Sequence, residues 1–412
     1  MTERPNDRMT IKGGSMGVRI GIILVALAIL CLSLGACIEG RKRVDPEITK
    51  AAAKVPYLTE KRLTRLGFKL HWETVLQDRV IRNAWLVANP NRFEKSAIYA
   101  ETESHLLYKI QINDGFVRWV HDVGGPIMGP LNVYYYPEDI KPRMYDEIFL
   151  LTGDTVQAID EEEGFQLWIK KLDFATSSVP CASSTNVMIG SWKDWMHSIS
   201  KEEQLEEWNY KADNDVTAPG VGKDHLLYLP SHDGKLYCFT AAKRAEPIWT
   251  FDTRGPLVAA PYLFRNMLYI PSMDFNVYAV SAITGEQAWV FRSGYRVMQQ
   301  PIAIQNTVYV FCKDFGMFAV DRKGRNAGKQ RWSFRNGKQL LARGKKYVYA
   351  LSQYVKDRDI CAIDNRSGDV LWKHPYPHVD FFLTNPNPDD PVVYMAFKSG
   401  WFFAIKELEE TF

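Results

Sequence analysis

Short apolar segments alternate with polar turns along most of the chain, and this pattern predicts β-strands. Residues 277–280, 317–320 and 360–363 are examples, each with small residues at its centre. A polar turn, often with glycine, and a strand with a tryptophan follow each one. Such turns join antiparallel strands. Another apolar run and a shorter segment precede each example, so the pattern predicts four strands per unit, several of them apolar on both faces.

Tryptophans mark the repeat of this unit. They recur about every 40 residues, a period typical of repeat architectures. A radial stack of four-stranded sheets covers both faces of every strand. We therefore predict an all-β fold, an eight-bladed β-propeller of four-stranded antiparallel blades, in which these side chains wedge between neighbouring sheets. The tryptophans are Trp72, Trp119, Trp168, Trp208, Trp249, Trp289, Trp332 and Trp372.

The two ends of the repeat region complement each other. The last unit stops after residues 401–406, so it lacks the strand that carries a tryptophan. Residues 68–76 contain Trp72 and form such a strand without a unit of its own. Pairing these two segments would close the ring and remove its exposed edges. We expect the propeller to occupy residues 67–412, with its N-terminal strand in the C-terminal blade.

The first 66 residues carry no propeller repeat. Residues 20–34 are almost all apolar, too few for a comfortable membrane span, and they predict a signal peptide over residues 1–36. They end in Leu34-Gly-Ala-Cys37, which resembles the bacterial lipobox and implies lipid attachment at Cys37; the alternative is a simple membrane anchor with an incidental cysteine. Residues 37–66 would form a tether, with a short helix that Thr59 caps and Gly67 ends.

Localisation and composition narrow the function classes. Ile38 is not the aspartate of inner-membrane retention signals, so the lipobox resemblance favours a periplasmic protein anchored to the inner leaflet of the outer membrane. Net charge is only +3, with both signs mixed, which indicates no nucleic-acid partner. Histidines lack metal-site spacing, so we predict no metal. Further cysteines are expected to be buried and unpaired; they are Cys181, Cys238, Cys312 and Cys361.

Residues 279–289 and 362–372 resemble the repeat of pyrroloquinoline-quinone (PQQ) enzymes, in which a small residue, an acidic turn, Thr-Gly and a tryptophan follow at this spacing. Looser copies cover residues 68–406. The repeat occurs in quinoprotein dehydrogenases and in BamB, the propeller lipoprotein of the outer-membrane barrel-assembly machinery. Eight blades, about 400 residues and a lipobox resemble the second group. The resemblance implies a scaffold that binds protein partners, including the barrel assembly protein, without catalytic residues.

A dehydrogenase would make further demands on the sequence. Those enzymes need a pocket for PQQ, a calcium ion with carboxylate and amide ligands, and an aspartate base. They are longer, and many use a vicinal disulfide, whereas this sequence has no adjacent cysteine pair and little room for insertions. We therefore predict no cofactor and no enzymatic activity. A PQQ-dependent oxidoreductase and a ligand-binding or sensing propeller remain the alternatives.

Two sets of residues are candidates for partner binding. Arg254, Tyr295 and Arg296 lie on loops that lead into the first strands of two units, and loops on this side contact the barrel-forming partner in BamB. The segment around Arg254 loosely resembles the one that BamB uses, but acidic residues expected in the following loop are absent. The second set, Tyr134, Tyr135 and Tyr136, lies in the longest gap between tryptophans. These tyrosines are either interface anchors or a strand that packs on its own blade.

Overall fold

The structure is a computed structural model that describes residues 60–78, 80–89, 92–137, 145–241, 245–354, 357–376 and 378–408. Cys37, Thr59 and the predicted signal peptide lie outside these residues. A short helix, α1 (Glu60–Arg65), precedes the first strand, and Gly67 follows it with a φ of +78°. A 3-10 turn covers Phe93–Lys95.

The strands form eight four-stranded antiparallel sheets, which we number as blades 1 to 8 in chain order. Each blade follows the chain from its first to its fourth strand, except that the fourth strand of blade 8 comes from the N-terminal end. The strands are, in blade 1, Ile81–Val87, Ala97–Thr102, Leu106–Gln111 and Val117–Asp122; in blade 2, Asn132–Tyr134, Glu147–Thr152, Thr155–Asp160 and Gln166–Lys171; in blade 3, Cys181–Ala182, Asn186–Ser191, Trp195–Ser200 and Glu206–Lys211; in blade 4, Val221–Lys223, Leu226–Pro230, Lys235–Thr240 and Trp249–Asp252. They are, in blade 5, Tyr262–Phe264, Met267–Pro271, Asn276–Ser281 and Gln287–Arg292; in blade 6, Ile302–Ile304, Thr307–Cys312, Gly316–Asp321 and Gln330–Arg335; in blade 7, Gly337–Arg343, Tyr347–Tyr354, Asp357–Asp364 and Val370–Pro375; in blade 8, Phe381–Leu383, Val392–Ala396, Trp401–Glu407 and Phe68–Val75.

The ring closes through blade 8. Phe68–Val75 pairs antiparallel with Trp401–Glu407, so that Phe68 lies opposite Glu407 and Val75 lies opposite Trp401. The first strands of blades 1 and 8 are also in contact. The prediction of an eight-bladed propeller closed by its N-terminal strand is therefore confirmed.

The register within each blade places one column of the third strand, which is mostly small, between a mostly aromatic column and the tryptophan. In blade 5, Ala279 lies between Tyr269 on the second strand and Trp289 on the fourth. The two rings meet over this residue with a centroid distance of 5.7 Å. The same ring pair recurs in six other blades at centroid distances between 5.8 and 6.1 Å. Blade 1 keeps this contact at 6.0 Å although Lys109 occupies the column, so a small residue is common at this position without being required.

Each indole also touches the next blade. The turn that joins the third and fourth strands of blade 2 contains Gly164, whose φ is +77°. A Cβ at this glycine would overlap the indole of Trp119 in blade 1. Gly285 stands in the same relation to Trp249 and Gly368 to Trp332. Tight turns without a side chain thus let neighbouring blades approach closely.

Turns alternate between the two ends of an antiparallel sheet, so the ring has two faces. We call the end that holds the turns between second and third strands and the connections between blades the connection face. It includes residues 253–261 and 293–301. The other end holds the turns from first to second and from third to fourth strands, and we call it the hairpin face. It includes residues 162–165 and 201–205.

No helix within the described ranges is long and apolar enough to cross a membrane.

Candidate protein-binding face

Arg254 lies on the connection face, in the loop between blades 4 and 5, and its side chain is exposed. Its backbone N–H donates to Asp274 Oδ2 at 3.0 Å. The hydroxyl of Tyr278 donates to the same oxygen at 2.7 Å. Burial, and secondarily this carboxylate, raises the pKa of Tyr278 to about 12. Asp274 therefore fixes the backbone at Arg254, while the guanidinium group stays in solvent.

Tyr295 and Arg296 lie on the next connection, between blades 5 and 6. Ser293 Oγ shapes this loop by donating to the carbonyl of Tyr295 at 2.6 Å and accepting its N–H at 3.1 Å. The ring of Tyr295 stacks on Phe315 with centroids 5.1 Å apart, and Phe315 stacks on Phe318 at 4.6 Å. Tyr295 is half-buried and Arg296 is exposed. An aromatic ring supported from below thus lies next to a solvent-exposed cation.

These three candidates share one face and come from adjacent loops. Arginine and partly buried aromatic side chains are enriched at protein interfaces, where a few anchors supply most of the binding energy. Both loops are held by side-chain hydrogen bonds, so little ordering would be needed when a partner binds. The arrangement is chemically suited to bind a protein surface that offers carboxylates and an apolar contact.

Tyr134, Tyr135 and Tyr136 lie on the opposite, hairpin face. Tyr134 and Tyr136 are buried, and the hydroxyl oxygen of Tyr136 is 3.0 Å from both Glu147 Oε2 and Ser184 O. Lys201 Nζ lies 4.2 Å from the ring centroid of Tyr134. Since Ser184 and Lys201 belong to blade 3, these rings pack between blades 2 and 3. Packing explains why the rings of Tyr134 and Tyr136 are buried. Both rings pack against the neighbouring blade as well as their own.

A concave site that the sequence did not suggest lies on the connection face of blade 3. A cavity of about 350 Å³ is lined by Phe174, Trp192, Trp195 and His197, among others. Ser191 Oγ lies 2.8 Å from His197 Nε2, and His197 Nδ1 is 3.3 Å from a carboxylate oxygen of Glu206. No spacing motif joins these positions in the sequence, because strand pairing brings them together.

Packing argues against a catalytic role for this Ser–His–Glu group. Ser191 and His197 are both buried. The ring of Phe174 lies parallel on the imidazole, with centroids 3.6 Å apart and an interplanar angle of 10°. Phe174 belongs to the connection from blade 2, so the stacked rings fasten that connection to blade 3.

The possible metal ligands and the cysteines of the described residues bear on the chemistry open to the chain. Among them, no group of three or more His, Cys, Asp or Glu side chains is arranged to hold a metal ion. Cys181, Cys238, Cys312 and Cys361 are all buried and free. Burial raises the pKa of the Cys312 thiol to about 11 and that of the other three thiols to about 12. These cysteines would be inert, since the thiolate is the reactive form.

Known proteins that resemble this chain are consistent with the PQQ-type repeat seen in its sequence. A family model described as outer membrane protein assembly factor BamB matches residues 152–334, which is less than half of the chain. The crystal structure of BamB from Moraxella catarrhalis superposes with a TM-score of 0.60 and 12% identity, covering 84% of this chain and 98% of that one. The computationally designed Ika8 protein superposes with a TM-score of 0.57 and 14% identity, covering 82% and 99%. No curated protein sequence matches the chain.

These findings identify a propeller of PQQ-type repeats that is similar to BamB. The structural matches are too distant in sequence to carry more than the fold. The designed protein makes the same point, because it has the fold without an evolved partner.

Proposed function

We propose that this protein is a lipid-anchored periplasmic scaffold that binds partner proteins and takes part in outer-membrane protein assembly, as BamB-type propellers do. The observation that carries the proposal is the family match over residues 152–334, because this segment includes Arg254, Tyr295 and Arg296. The protein would act by holding partners close to the membrane rather than by catalysis.

The connection face would make the contact. Arg254 and Arg296 are exposed, and their loops are fixed by Asp274 and Ser293. Charge-assisted hydrogen bonds from the two guanidinium groups would pair with carboxylates of the partner, and the supported ring of Tyr295 would cover an apolar side chain. The barrel-forming protein of the outer-membrane assembly machinery is the partner that we propose.

The anchor would be the lipid on Cys37. Replacing Cys37 by alanine in the full chain should leave a folded protein that appears in the soluble fraction, because membrane affinity would come from acyl chains and not from the propeller. Fractionation after a carbonate wash measures this. Retention of the Cys37→Ala protein in washed membranes would indicate an uncleaved apolar segment instead.

Partner binding is tested by affinity purification from native membranes. We expect the assembly protein to be recovered with the unaltered chain and recovery to fall with Arg254→Glu and with Arg296→Glu, by about tenfold if either residue is an anchor. Arg325→Glu is the matched control, since Arg325 is an exposed arginine on the hairpin face. Equal recovery from all four proteins would contradict the assignment of the face.

Retention of PQQ after incubation with calcium and desalting, with turnover of an alcohol or sugar, would contradict the scaffold proposal itself.

A further inference from the structure

One position of the repeat differs systematically around the ring. It is the third residue before the tryptophan, directly before the fourth strand. Its backbone carbonyl accepts a hydrogen bond from the end of the third strand in blades 1, 2 and 3, each at 2.9 Å, and the same bond forms in blades 5, 6 and 7. The position is therefore held alike in all six blades, and its side chain is exposed in each. The residues are Phe116, Phe165, Leu205, Glu286, Lys329 and Asp369.

Blades 1 to 3 place apolar side chains in solvent at this position. Phe116 is 63% exposed, Phe165 48% and Leu205 59%. In blades 5 to 7 the residue is charged, so the fold does not need an apolar side chain here. Tyr145, exposed at 60%, adds to the set by packing edge-on against Phe165 with centroids 6.0 Å apart. We call Phe116, Tyr145, Phe165 and Leu205 the apolar arc.

The turns that carry the arc are neighbours because they belong to consecutive blades on the hairpin face. In the turn of blade 2, the carbonyl oxygen of Glu161 accepts a hydrogen bond from the indole N–H of Trp119 in blade 1. The turn of blade 3 contacts blade 2 through Lys201 and Glu147. Packed sheets are about 10 Å apart, so three of them span at least ~20 Å, which is the length of about six extended residues. An apolar patch of this kind is typical of a protein interaction site.

The turns of blades 2 and 3 are acidic at their surface, whereas Lys95 and Arg118 are exposed beside the turn of blade 1. Glu162, Glu163, Glu202 and Glu203 are exposed in the same turns. The lysine of these turns, Lys201, is buried and does not offset them at the surface. On the same face, the turn of blade 6 carries the opposite charge, with Lys323, Arg325 and Lys329 exposed. Phe165 and Leu205 therefore lie in the acidic part of the face.

We propose that the apolar arc is a docking surface for a partner polypeptide segment that carries apolar side chains flanked by lysine or arginine. The apolar side chains would cover Phe116, Phe165 and Leu205, and the cations would pair with the four glutamates. Acidic segments would be repelled, which gives selectivity. Because the arc and Arg254 lie on opposite faces of the ring, the scaffold could hold this partner together with the one proposed for the connection face.

Binding of three synthetic peptides of equal length to the full chain, measured by fluorescence anisotropy, tests the proposal. One peptide alternates lysine with leucine, one glutamate with leucine, and one lysine with serine. We expect the lysine–leucine peptide to bind at least about tenfold tighter than the other two. The variant Phe116→Ser/Phe165→Ser/Leu205→Ser should lose about tenfold or more of this affinity. Ile283→Ser is the control, since Ile283 is 62% exposed on the same face in blade 5.

Three results would overturn the proposal. The first is equal affinity for the three peptides. The second is unchanged binding by the triple variant with its fold intact by circular dichroism. The third is self-association of the unaltered chain in sedimentation that the triple variant abolishes, because the arc would then be covered by a second copy. Arg254→Glu should bind the peptide normally, so a failure here is distinguishable from a failure of the proposed function.

Discussion

The interface between blades 1 and 2 and the one between blades 2 and 3 solve the same packing problem with opposite charges. In the first, Lys109 on the third strand of blade 1 pairs with Glu161 in the turn of blade 2 at 2.7 Å. In the second, Glu147 on blade 2 pairs with Lys201 in the turn of blade 3, also at 2.7 Å. Glu161 and Lys201 stand at the same repeat position, seven residues before the tryptophan.

The two interfaces also differ in how the turn meets the indole. Trp119 Nε1–H donates to Glu161 O at 3.0 Å, and a glycine, Gly164, lies against its ring. Trp168 Nε1 is buried without an acceptor among the residues described. The turn that follows it has Gln204 where blade 2 has Gly164, in the same left-handed conformation with a φ of 58°. A glycine therefore accompanies the closer contact.

This contrast suggests that the buried pairs help to fix the order of the blades. Apolar residues pack across both interfaces, so apolar burial alone discriminates poorly between correct and shifted neighbours. If blade 3 packed on blade 1, Lys201 would face Lys109 without a carboxylate. Burying two like charges is far more costly than burying a matched pair. We treat this role as a hypothesis that charge reversal tests.

Glu161→Lys should give the largest effect. It places a second lysine against Lys109, removes the carboxylate that accepts the Tyr99 hydroxyl at 2.7 Å, and leaves buried cations without a partner. We expect unfolding free energy to fall by at least about 3–5 kcal/mol. Urea denaturation measures it. Glu162→Lys, at the exposed next residue, should change stability by less than about 0.5 kcal/mol. A similar loss in both variants would show that the pair has no special role.

Gly164→Ala should have the next largest effect. The alanine Cβ would overlap the Trp119 indole in a backbone conformation that L-residues disfavour. We expect the free energy of unfolding to fall by about 2–4 kcal/mol, because backbone strain and overpacking add together. Gly153→Ala is the matched control, because Gly153 also has positive φ, at +59°, but no atom lies within 4 Å of the point that an alanine Cβ would occupy. The free energy of unfolding of Gly153→Ala should fall only by the cost of placing an L-residue at positive φ, about 1–2 kcal/mol. Equal losses would mean that the indole contact is not close in solution.

The repeated features were predictable from the sequence, and the features that occur once were not. The tryptophan column and its small partner recur in the blades, so each repetition adds to the same signal and even the split blade could be recognised. Lys109 stood out as an exception in the small column, but nothing in the sequence showed that Glu161 of the next blade would pair with it. The burial of Tyr134 and Tyr136 depends on Lys201 and Ser184, which only the ring places beside them.

The pH dependence of stability should distinguish the second interface. Burial lowers the pKa of Lys201 from 10.5 to about 8, although Glu147 opposes the shift. Between pH 8 and about 10 the unfolded chain then binds more protons at this lysine than the folded chain, so Lys201 contributes a rise in stability with pH of at most about 1.4 kcal/mol per unit. The four buried thiols contribute a fall over the same range, because the unfolded chain loses their protons first. Above pH 10 the fall should steepen, because burial also raises the pKa of tyrosines such as Tyr134, and the unfolded chain loses those protons first.

Urea unfolding at several pH values between 7.5 and 9.5 measures this dependence. In Lys201→Met the contribution of the lysine should disappear, so the stability of the variant should fall more steeply with pH than that of the unaltered chain. The variant is also less stable throughout, because Glu147 loses its partner. The two proteins are compared by how their unfolding free energy changes with pH, and not by its absolute value. An equal slope in both proteins would assign the proton uptake to another group and leave the second interface without its titrating pair.

The smallest expected effect compares Trp119→Phe with Trp168→Phe. Both indoles are similarly buried, with 9% and 8% of their surface exposed, so both substitutions remove a similar apolar area. Only Trp119→Phe removes a hydrogen bond. Its acceptor, the carbonyl oxygen of Glu161, keeps a second donor, since Lys109 Nζ lies 2.7 Å away. Trp168 instead loses a buried N–H that has no acceptor in the described part of the chain, which removes an unfavourable term. We therefore expect Trp119→Phe to cost about 1 kcal/mol more than Trp168→Phe in urea unfolding. If Trp168→Phe proves the more costly, its indole must find a water or protein acceptor in solution, and the two interfaces are more alike than their turns suggest.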